Sequence, residues 1–187
     1  MNRQSLLCTV IAALLVATGS LRAAAPSTRL RGPKSGNAQA IHEANLRIDE
    51  INRAKNLRVD SSDKDIQWLG YRTEGGAMLR GYFRKDTLCK ITADMYHAFG
   101  MVRIEIFYSG NEPVFFYERE DYYRATDTSV DRTVLEYGHD ARYYVRHGAL
   151  IDSRRRGKDR HEKTFSPAED VKKLLLMSER WSAFLKH

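Results

Sequence analysis

Cysteine is scarce in this chain, and its scarcity limits what can hold the fold together. The 187 residues contain two cysteines, Cys8 in an N-terminal apolar run and Cys89 near the middle of the chain. If the N-terminal run is cleaved off, one thiol remains and no internal disulfide can form. The fold must then be stabilised by packing, and Cys89 is interpreted as a small buried apolar side chain rather than a reactive thiol.

Catalytic and metal-binding motifs are also missing. The three aspartates within residues 60–65 lack the spacing and the closing glutamate of an EF-hand loop, which favours a solvated polar loop. His139 and His147 are eight residues apart, a spacing that matches no standard zinc pattern. The sequence therefore predicts no catalytic residue, no metal and no cofactor, and a non-enzymatic protein is favoured over an enzyme.

Composition and charge are those of one ordinary globular domain. Hydrophobic residues make up 42% of the chain and charged residues 29%, which is enough for a substantial core. The net charge is +7, and it falls to +5 without residues 1–25, which hold Arg3 and Arg22 and no acid. A moderate positive charge favours acidic partners. Because the basic residues are mostly interspersed with acids, nucleic acid is not predicted as a partner.

Residues 1–25 have the organisation of a secretory signal peptide. Arg3 precedes an apolar run over residues 6–17, and residues 23–25 are three alanines at the position of a cleavage site. The apolar run of about 12 residues is shorter than the roughly 20 that a membrane-spanning helix needs. We therefore expect cleavage after the alanines, a periplasmic or secreted protein, and no transmembrane helix in the mature chain. An uncleaved anchor is the alternative.

One domain preceded by a linker is predicted beyond this segment. Residues 26–36 are rich in proline, glycine, serine and basic residues and have no apolar period, which indicates a flexible lead-in. The domain is expected over residues 37–187. Apolar side chains at spacings of three and four indicate a helix near each end of it, over residues 37–55 and 166–185.

Alternating apolar and polar residues, separated by short turn signals, fill the space between these helices. Strands are expected over residues 66–73, 78–84, 87–95, 101–108, 114–123 and 142–147. Such short connections force neighbouring strands to be antiparallel, because a parallel return needs a crossover of about a dozen residues. The predicted fold class is α+β, an antiparallel β-meander of about five to seven strands with an N-terminal and a C-terminal helix available to cover its apolar face.

The central strands carry a recurring rhythm of turns and aromatic pairs. Residues 81–123 read GYFRKDTLCKITADMYHAFGMVRIEIFYSGNEPVFFYEREDYY. This stretch, about a quarter of the chain, resembles a module of small exported bacterial proteins of uncharacterised function. The resemblance implies a β-meander and transfers no catalytic residue.

Aromatic and acidic side chains of the meander have a structural and a functional interpretation. Tyr117 and Tyr123 either stabilise the sheet as members of cross-strand aromatic pairs or form a ligand-binding face with Arg119. Glu118 and Glu120 share one face of a strand, about 7 Å apart, as any two residues two positions apart on a strand do. Glu118, Glu120 and Asp121 could supply paired carboxylates for acid–base chemistry, but a solvated edge is the favoured interpretation of these acids. The binding site is expected on the sheet face that the helices leave open, around Tyr117, Arg119 and Tyr123.

The strongest local charge feature is the run over residues 154–163. It begins with Arg154, Arg155 and Arg156, and six of its residues are Lys or Arg against two acids. The run is interpreted either as a solvated loop or as an anion-binding tip for phosphate groups of envelope lipids or for an acidic protein.

Three classes of function remain open. A non-enzymatic periplasmic binding module for a protein, a peptide or an anionic envelope component is favoured. A periplasmic inhibitor or immunity-type protein is the first alternative, because small size and a signal peptide fit it equally well. An enzyme with an unrecognised site is the second, and a deep cleft with inward-facing acids or histidines would favour it.

Overall fold

Seven antiparallel strands form one sheet in the computed structural model, which describes residues 35–158 and 164–185. The strands pair in sequence order, so each hydrogen-bonds to its neighbours along the chain. The elements are α1 (Ser35–Arg53), β1 (Arg58–Ser62), α2 (Asp65–Leu69), β2 (Ala77–Arg84), β3 (Thr87–His97), β4 (Gly100–Ser109), β5 (Glu112–Ala125), β6 (Val130–Arg146), β7 (Ala149–Gly157) and α3 (Pro167–Phe184). The predicted α+β meander with a helix near each end is confirmed.

Tight turns explain why the sheet is a meander. The β2–β3, β3–β4, β4–β5 and β6–β7 connections each leave two residues between the strands. At the β6–β7 turn both of them, His147 and Gly148, have positive φ, at 50° and 72°. Two successive residues of positive φ give the twist that matches a two-residue hairpin. None of these connections has the length of a parallel crossover.

Each face of the sheet has an apolar cluster, and a different helix covers each cluster. The larger cluster joins α2 and α3 to one face through buried side chains that include Trp68, Leu79, Ile91, Ile106, Phe116 and Trp181. The smaller cluster joins α1 to the opposite face around Ala44, Ile51, Cys89, Phe107, Phe115 and Tyr144. Cys89 is fully buried, as expected for a small apolar side chain.

The two terminal helices do not share one apolar face, which corrects that part of the expectation. Ile106 and Phe107 are adjacent on β4, as are Phe115 and Phe116 on β5. Successive side chains of a strand point to opposite faces. Both faces of the sheet are therefore apolar at these positions, and a helix lies on each side.

Residues 66–73 form α2 and the loop after it rather than the predicted strand. The helix ends at Gly70, which has left-handed backbone geometry with φ of 91°. Trp68 is fully buried, and its ring meets that of Trp181 edge-on with the centroids 5.6 Å apart. This distant contact outweighs the local alternation. Three residues of the predicted polar loop, 60–62, also belong to strand β1.

Predictions for both ends of the chain fall partly outside the described residues. The predicted signal peptide and the linker up to residue 34 lie outside them, as do residues 159–163 of the basic run. The run was interpreted as a loop or tip, but its residues 154–157 belong to strand β7. Helix α1 begins at Ser35, so the last two residues of the predicted linker are helical. Among the residues that the structure describes, no helix combines the length and the apolar character needed to cross a membrane.

Candidate functional site

Helix α1 covers only part of its face of the sheet, and charged side chains occupy the rest. Phe115 of β5 packs in the cluster under α1. At steps of two along β5 the same face then carries Tyr117, Arg119 and Asp121. The face thus changes from apolar to charged within one strand, on the side that the sequence predicted for a binding site.

Two pairs of arginines lie directly opposite each other across neighbouring strands of this face. Arg103 of β4 is paired with Arg119 of β5, and Arg142 of β6 with Arg154 of β7. Tyr117 is paired with Arg142 and continues the second row. Directly opposite residues have Cβ atoms about 4.5–5.5 Å apart, so like charges at such positions destabilise a sheet. We call these five residues the arginine face.

A buried aspartate holds the first arginine pair from one side. Asp94 of β3 accepts hydrogen bonds from Arg103 Nε at 2.6 Å and from Arg80 Nη1 at 2.9 Å. Burial alone would raise the pKa of the Asp94 carboxyl, but these two arginines outweigh it and the pKa lies below its usual value. The hydrogen bond to Asp94 in turn raises the pKa of Arg103. Both groups are therefore charged at neutral pH, and Arg103 is fixed in place.

Two further aspartates lie beside the neighbouring arginines, one through hydrogen bonds and one through an ion pair. Arg119 Nε donates to both carboxylate oxygens of Asp121, at 3.0 and 2.8 Å. Arg142 Nε lies 3.5 Å from a carboxylate oxygen of Asp140. The aspartates thus contact the Nε atoms of the guanidinium groups. A guanidinium has five N–H donors, and its terminal Nη atoms supply the rest.

Tyrosine rings complete this surface. The guanidinium of Arg142 lies 5.7 Å from the ring centroid of Tyr117, and that of Arg119 lies 5.5 Å from the centroid of Tyr137. The hydroxyl of Tyr137 donates to Asp140 at 2.7 Å. Stacking on an aromatic ring suits the flat, delocalised guanidinium. Arg119 and Arg142 each therefore contact both a carboxylate and an aromatic ring.

Five of the six predicted binding residues share this sheet face. They occupy alternating positions of β5 and β7 and are Tyr117, Arg119, Tyr123, Arg154 and Arg156. Arg155 is the exception, because it lies between two of them on β7 and points to the opposite face, with its guanidinium 5.5 Å from the ring centroid of Phe165. Sequence reasoning missed Arg103 and Arg142 as members of the site. Their alternation along β4 and β6 was visible, but their pairing partners were not.

A cavity of about 280 Å³ lies on the opposite face, between β5, β6, β7 and the start of α3. Its lining includes Glu118, Glu120, His139, Tyr143, Arg155 and Asp170. Glu120 is only 4% exposed and His139 5%, and their Oε2 and Nε2 atoms are 3.8 Å apart. The solvated-edge interpretation is therefore wrong for Glu120, and it is also wrong for Asp121, which is 4% exposed. Residues at the start of α3 line the same cavity as Glu120.

Metal binding by either site finds no support in the described part of the chain. Within residues 35–158 and 164–185, no three His, Cys, Asp or Glu side chains converge as ligands of a metal ion do. The carboxylates of the arginine face instead contact arginines. The arginine face can bind an anion through charge and hydrogen bonds. The cavity can bind charged groups of either sign in the same way.

Comparison with known proteins identifies no relative of this chain. No protein-family model matches the chain, and no curated protein or solved structure is significantly similar to it. The resemblance to small exported bacterial proteins therefore stays a prediction, and the arginine face and the cavity are the grounds on which a function can be inferred.

Proposed function

We propose that the protein is an exported, non-enzymatic binding module whose arginine face binds an acidic segment of a protein partner. The observation that supports this is the pair of like-charged cross-strand contacts, Arg103 with Arg119 and Arg142 with Arg154. Such contacts destabilise a sheet, and places where a sequence breaks a local rule of this kind are where functional residues are expected. Asp94, Asp121 and Asp140 already neutralise part of this charge, and Asp152 lies 3.5 Å from Arg154. A partner's carboxylate that binds the Nη atoms of a pair adds to this neutralisation.

The composition of the face favours a protein as the partner. Arginine and tyrosine are enriched at the centres of protein interfaces, where they supply most of the binding energy. Arg119 and Arg142 are already held by aspartates and stacked on tyrosines, so little side-chain entropy is lost when a partner binds. A surface with fixed positive groups then selects partners whose carboxylates complement it.

The positions of the two arginine pairs also set a spacing for the partner. The pairs are two strands apart across the sheet and one same-face row apart along the strands. With strands about 4.8 Å apart and a rise of about 3.3 Å per residue, the centres of the two pairs are about 12 Å apart. Two acidic residues four positions apart in an extended segment span about this distance.

Replacing Arg103 or Arg154 with glutamine is expected to weaken the binding of such a segment by about tenfold or more. The reason is the loss of a charge-assisted hydrogen bond, worth about 1.5–3 kcal/mol. The measurement is the fluorescence anisotropy of a labelled peptide with two glutamates at four-residue spacing, against the same peptide with glutamines.

The matched control for this measurement is Arg124→Gln. Arg124 is an exposed arginine near the end of β5 that is ion-paired with Glu136 and does not belong to the arginine face. Its variant should bind the acidic peptide as the parent protein does. Equal binding of the glutamine peptide contradicts the proposal. Tighter binding to vesicles of anionic phospholipid than to the peptide identifies a lipid surface instead of a protein partner.

Export is the part of the proposal that is supported by residues 1–25 alone. Protein recovered from the periplasm of a bacterial host is expected to begin at Pro26, because signal peptidase cleaves after small residues. Intact-mass spectrometry measures this directly. Replacing Ala23 and Ala25 with bulky residues should block cleavage, and an unaltered parent protein that retains Met1 contradicts the expectation.

A further inference from the structure

The cavity beside α3 has side chains of opposite charge on its two sides. Glu118 of β5 is directly opposite Ala141 of β6, and Ala141 is directly opposite Arg155 of β7. One row across strands β5, β6 and β7 therefore contains an acidic, a small and a basic residue in that order. Because neighbouring strands are about 4.8 Å apart, the backbones at Glu118 and Arg155 are separated by about 10 Å. The side chain between them in this row, that of Ala141, is a single methyl group.

Other polar groups extend both sides of this row. On the acidic side, Glu120 is two positions from Glu118 on the same face of β5 and lies 3.8 Å from His139. The hydroxyl of Tyr143 donates to Asp170 Oδ2 of α3 at 3.2 Å. Lys173 of α3 adds a second cation to the lining. The cavity thus combines acceptors for a cation with donors for an anion.

The phenol of Tyr143 lies within the field of both charged sides. Burial raises the pKa of this phenol, the negative charges of Glu118 and Asp170 raise it further, and the positive charge of Arg155 opposes them. The hydroxyl therefore stays protonated and remains a hydrogen-bond donor. Glu118, Tyr143 and Arg155 all line this cavity.

We propose that this cavity binds a small zwitterion of amino-acid size, with its ammonium group at Glu118 and its carboxylate at Arg155. The volume of about 280 Å³ lies just below the range of about 300–1,000 Å³ of typical ligand pockets, which limits the occupant to few heavy atoms. An amine alone uses only the acidic side of the cavity, and a carboxylic acid alone uses only the basic side. An amino acid makes charge-assisted hydrogen bonds to both.

This site is independent of the arginine face. The residues of the two sites alternate along β5 and β7, so they point to opposite sides of the sheet. Failure of the acidic peptide to bind therefore leaves the cavity proposal standing. The reverse also holds, because no residue of the arginine face lines the cavity.

Titration of the full protein with free L-α-amino acids, one at a time, tests the proposal. We expect at least one of them, at millimolar concentration, to shift the ¹H–¹⁵N signals of Ala141 and Asp170 in a saturable way. Its N-acetyl derivative and its decarboxylated amine, each lacking one of the two charges, should bind about tenfold more weakly or worse. The absence of a saturable shift with every amino acid overturns the proposal, as does equal affinity for either derivative.

Variants test separately whether binding needs the two charged groups and whether it needs the space beside Ala141. Glu118→Gln and Arg155→Gln should each weaken the binding of that amino acid by about tenfold. Glu179→Gln, on the exposed side of α3 and outside the cavity, is the matched control and should leave the affinity unchanged. Ala141→Val should weaken binding, because its extra methyl groups enter the space beside Glu118 and Arg155. Since Ala141 is buried, thermal denaturation checks that this variant still folds cooperatively. Undiminished binding by Ala141→Val contradicts this site even if a charge variant fails to fold.

Discussion

Replacing Trp181 with alanine is expected to lower the free energy of unfolding by about 3–5 kcal/mol. The side chain is 1% exposed, and its ring meets that of Trp68 edge-on, with the centroids 5.6 Å apart and the planes at 83°. Truncation opens a cavity between α3 and the sheet, and it removes an aromatic contact worth about 0.5–1.5 kcal/mol beyond its buried area. Urea denaturation followed by circular dichroism measures the change.

An exposed leucine on the same helix provides the control for this prediction. Leu176 is 67% exposed, so Leu176→Ala should change the free energy of unfolding by no more than about 0.5 kcal/mol. The chain has two tryptophans, so in the Trp181 variant the fluorescence of Trp68 alone reports on the same cluster. Equal losses of unfolding free energy in Leu176→Ala and Trp181→Ala would contradict the view that α3 is anchored through its buried side.

Strands β4 and β5 could be predicted from the sequence because their determinants are local. Strands over residues 101–108 and 114–123 were expected, and they are found at Gly100–Ser109 and Glu112–Ala125. Alternation of side chains and a two-residue turn with a glycine of positive φ, Gly110, define both strands within a few residues. The antiparallel meander follows from connections of this length.

Helix α2 shows where local reasoning fails. Ile66, Trp68 and Gly70 alternate as the residues of a strand do, yet they belong to a short helix and its cap. Trp68 is buried against a side chain from the far end of the sequence, and no pattern within residues 66–73 contains that contact. Tertiary packing therefore overrides the local preference, as it often does for short segments.

The candidate sites depend on the register between strands and on which distant elements pack over each face. Neither can be predicted from the alternation of apolar and polar residues alone. Arg119 was expected in a binding site, but its partner Arg103 depends on the register of β4 against β5, which shifts at Phe107 and Tyr108. Glu120 was interpreted as solvated because nothing in its neighbourhood of the sequence covers it. The cavity that Glu120 lines is completed by residues of α3, about 50 positions later in the chain.

A β-bulge at Gly138 determines which residues of β6 face each of the two sites. Glu120 is paired with His139 and Asp121 with Tyr137, so Gly138 has no partner on β5. A bulge of this kind inserts one residue into a strand and changes the face on which the preceding residues lie. It allows His139 to line the cavity while Tyr137 lies on the other face beside Arg119. If Gly138 were instead paired regularly with Asp121, Tyr137 would lie opposite Tyr122 and on the cavity side.

Replacing Gly138 with alanine is expected to lower the free energy of unfolding by about 1–3 kcal/mol and to weaken acidic-peptide binding at the arginine face. A Cβ atom at this position would lie 2.2 Å from Cε2 of the buried Tyr122 ring and 2.7 Å from the carbonyl oxygen of Glu120, so the ring or the strand must move. Thermal denaturation and peptide anisotropy measure the two effects. Gly36→Ala on α1 is the control, because a Cβ atom there meets nothing within 4 Å and alanine suits a helix. An unchanged melting temperature in Gly138→Ala would mean that the bulge tolerates a side chain. Undiminished peptide binding by the same variant would mean that Tyr137 does not need this glycine to lie beside Arg119.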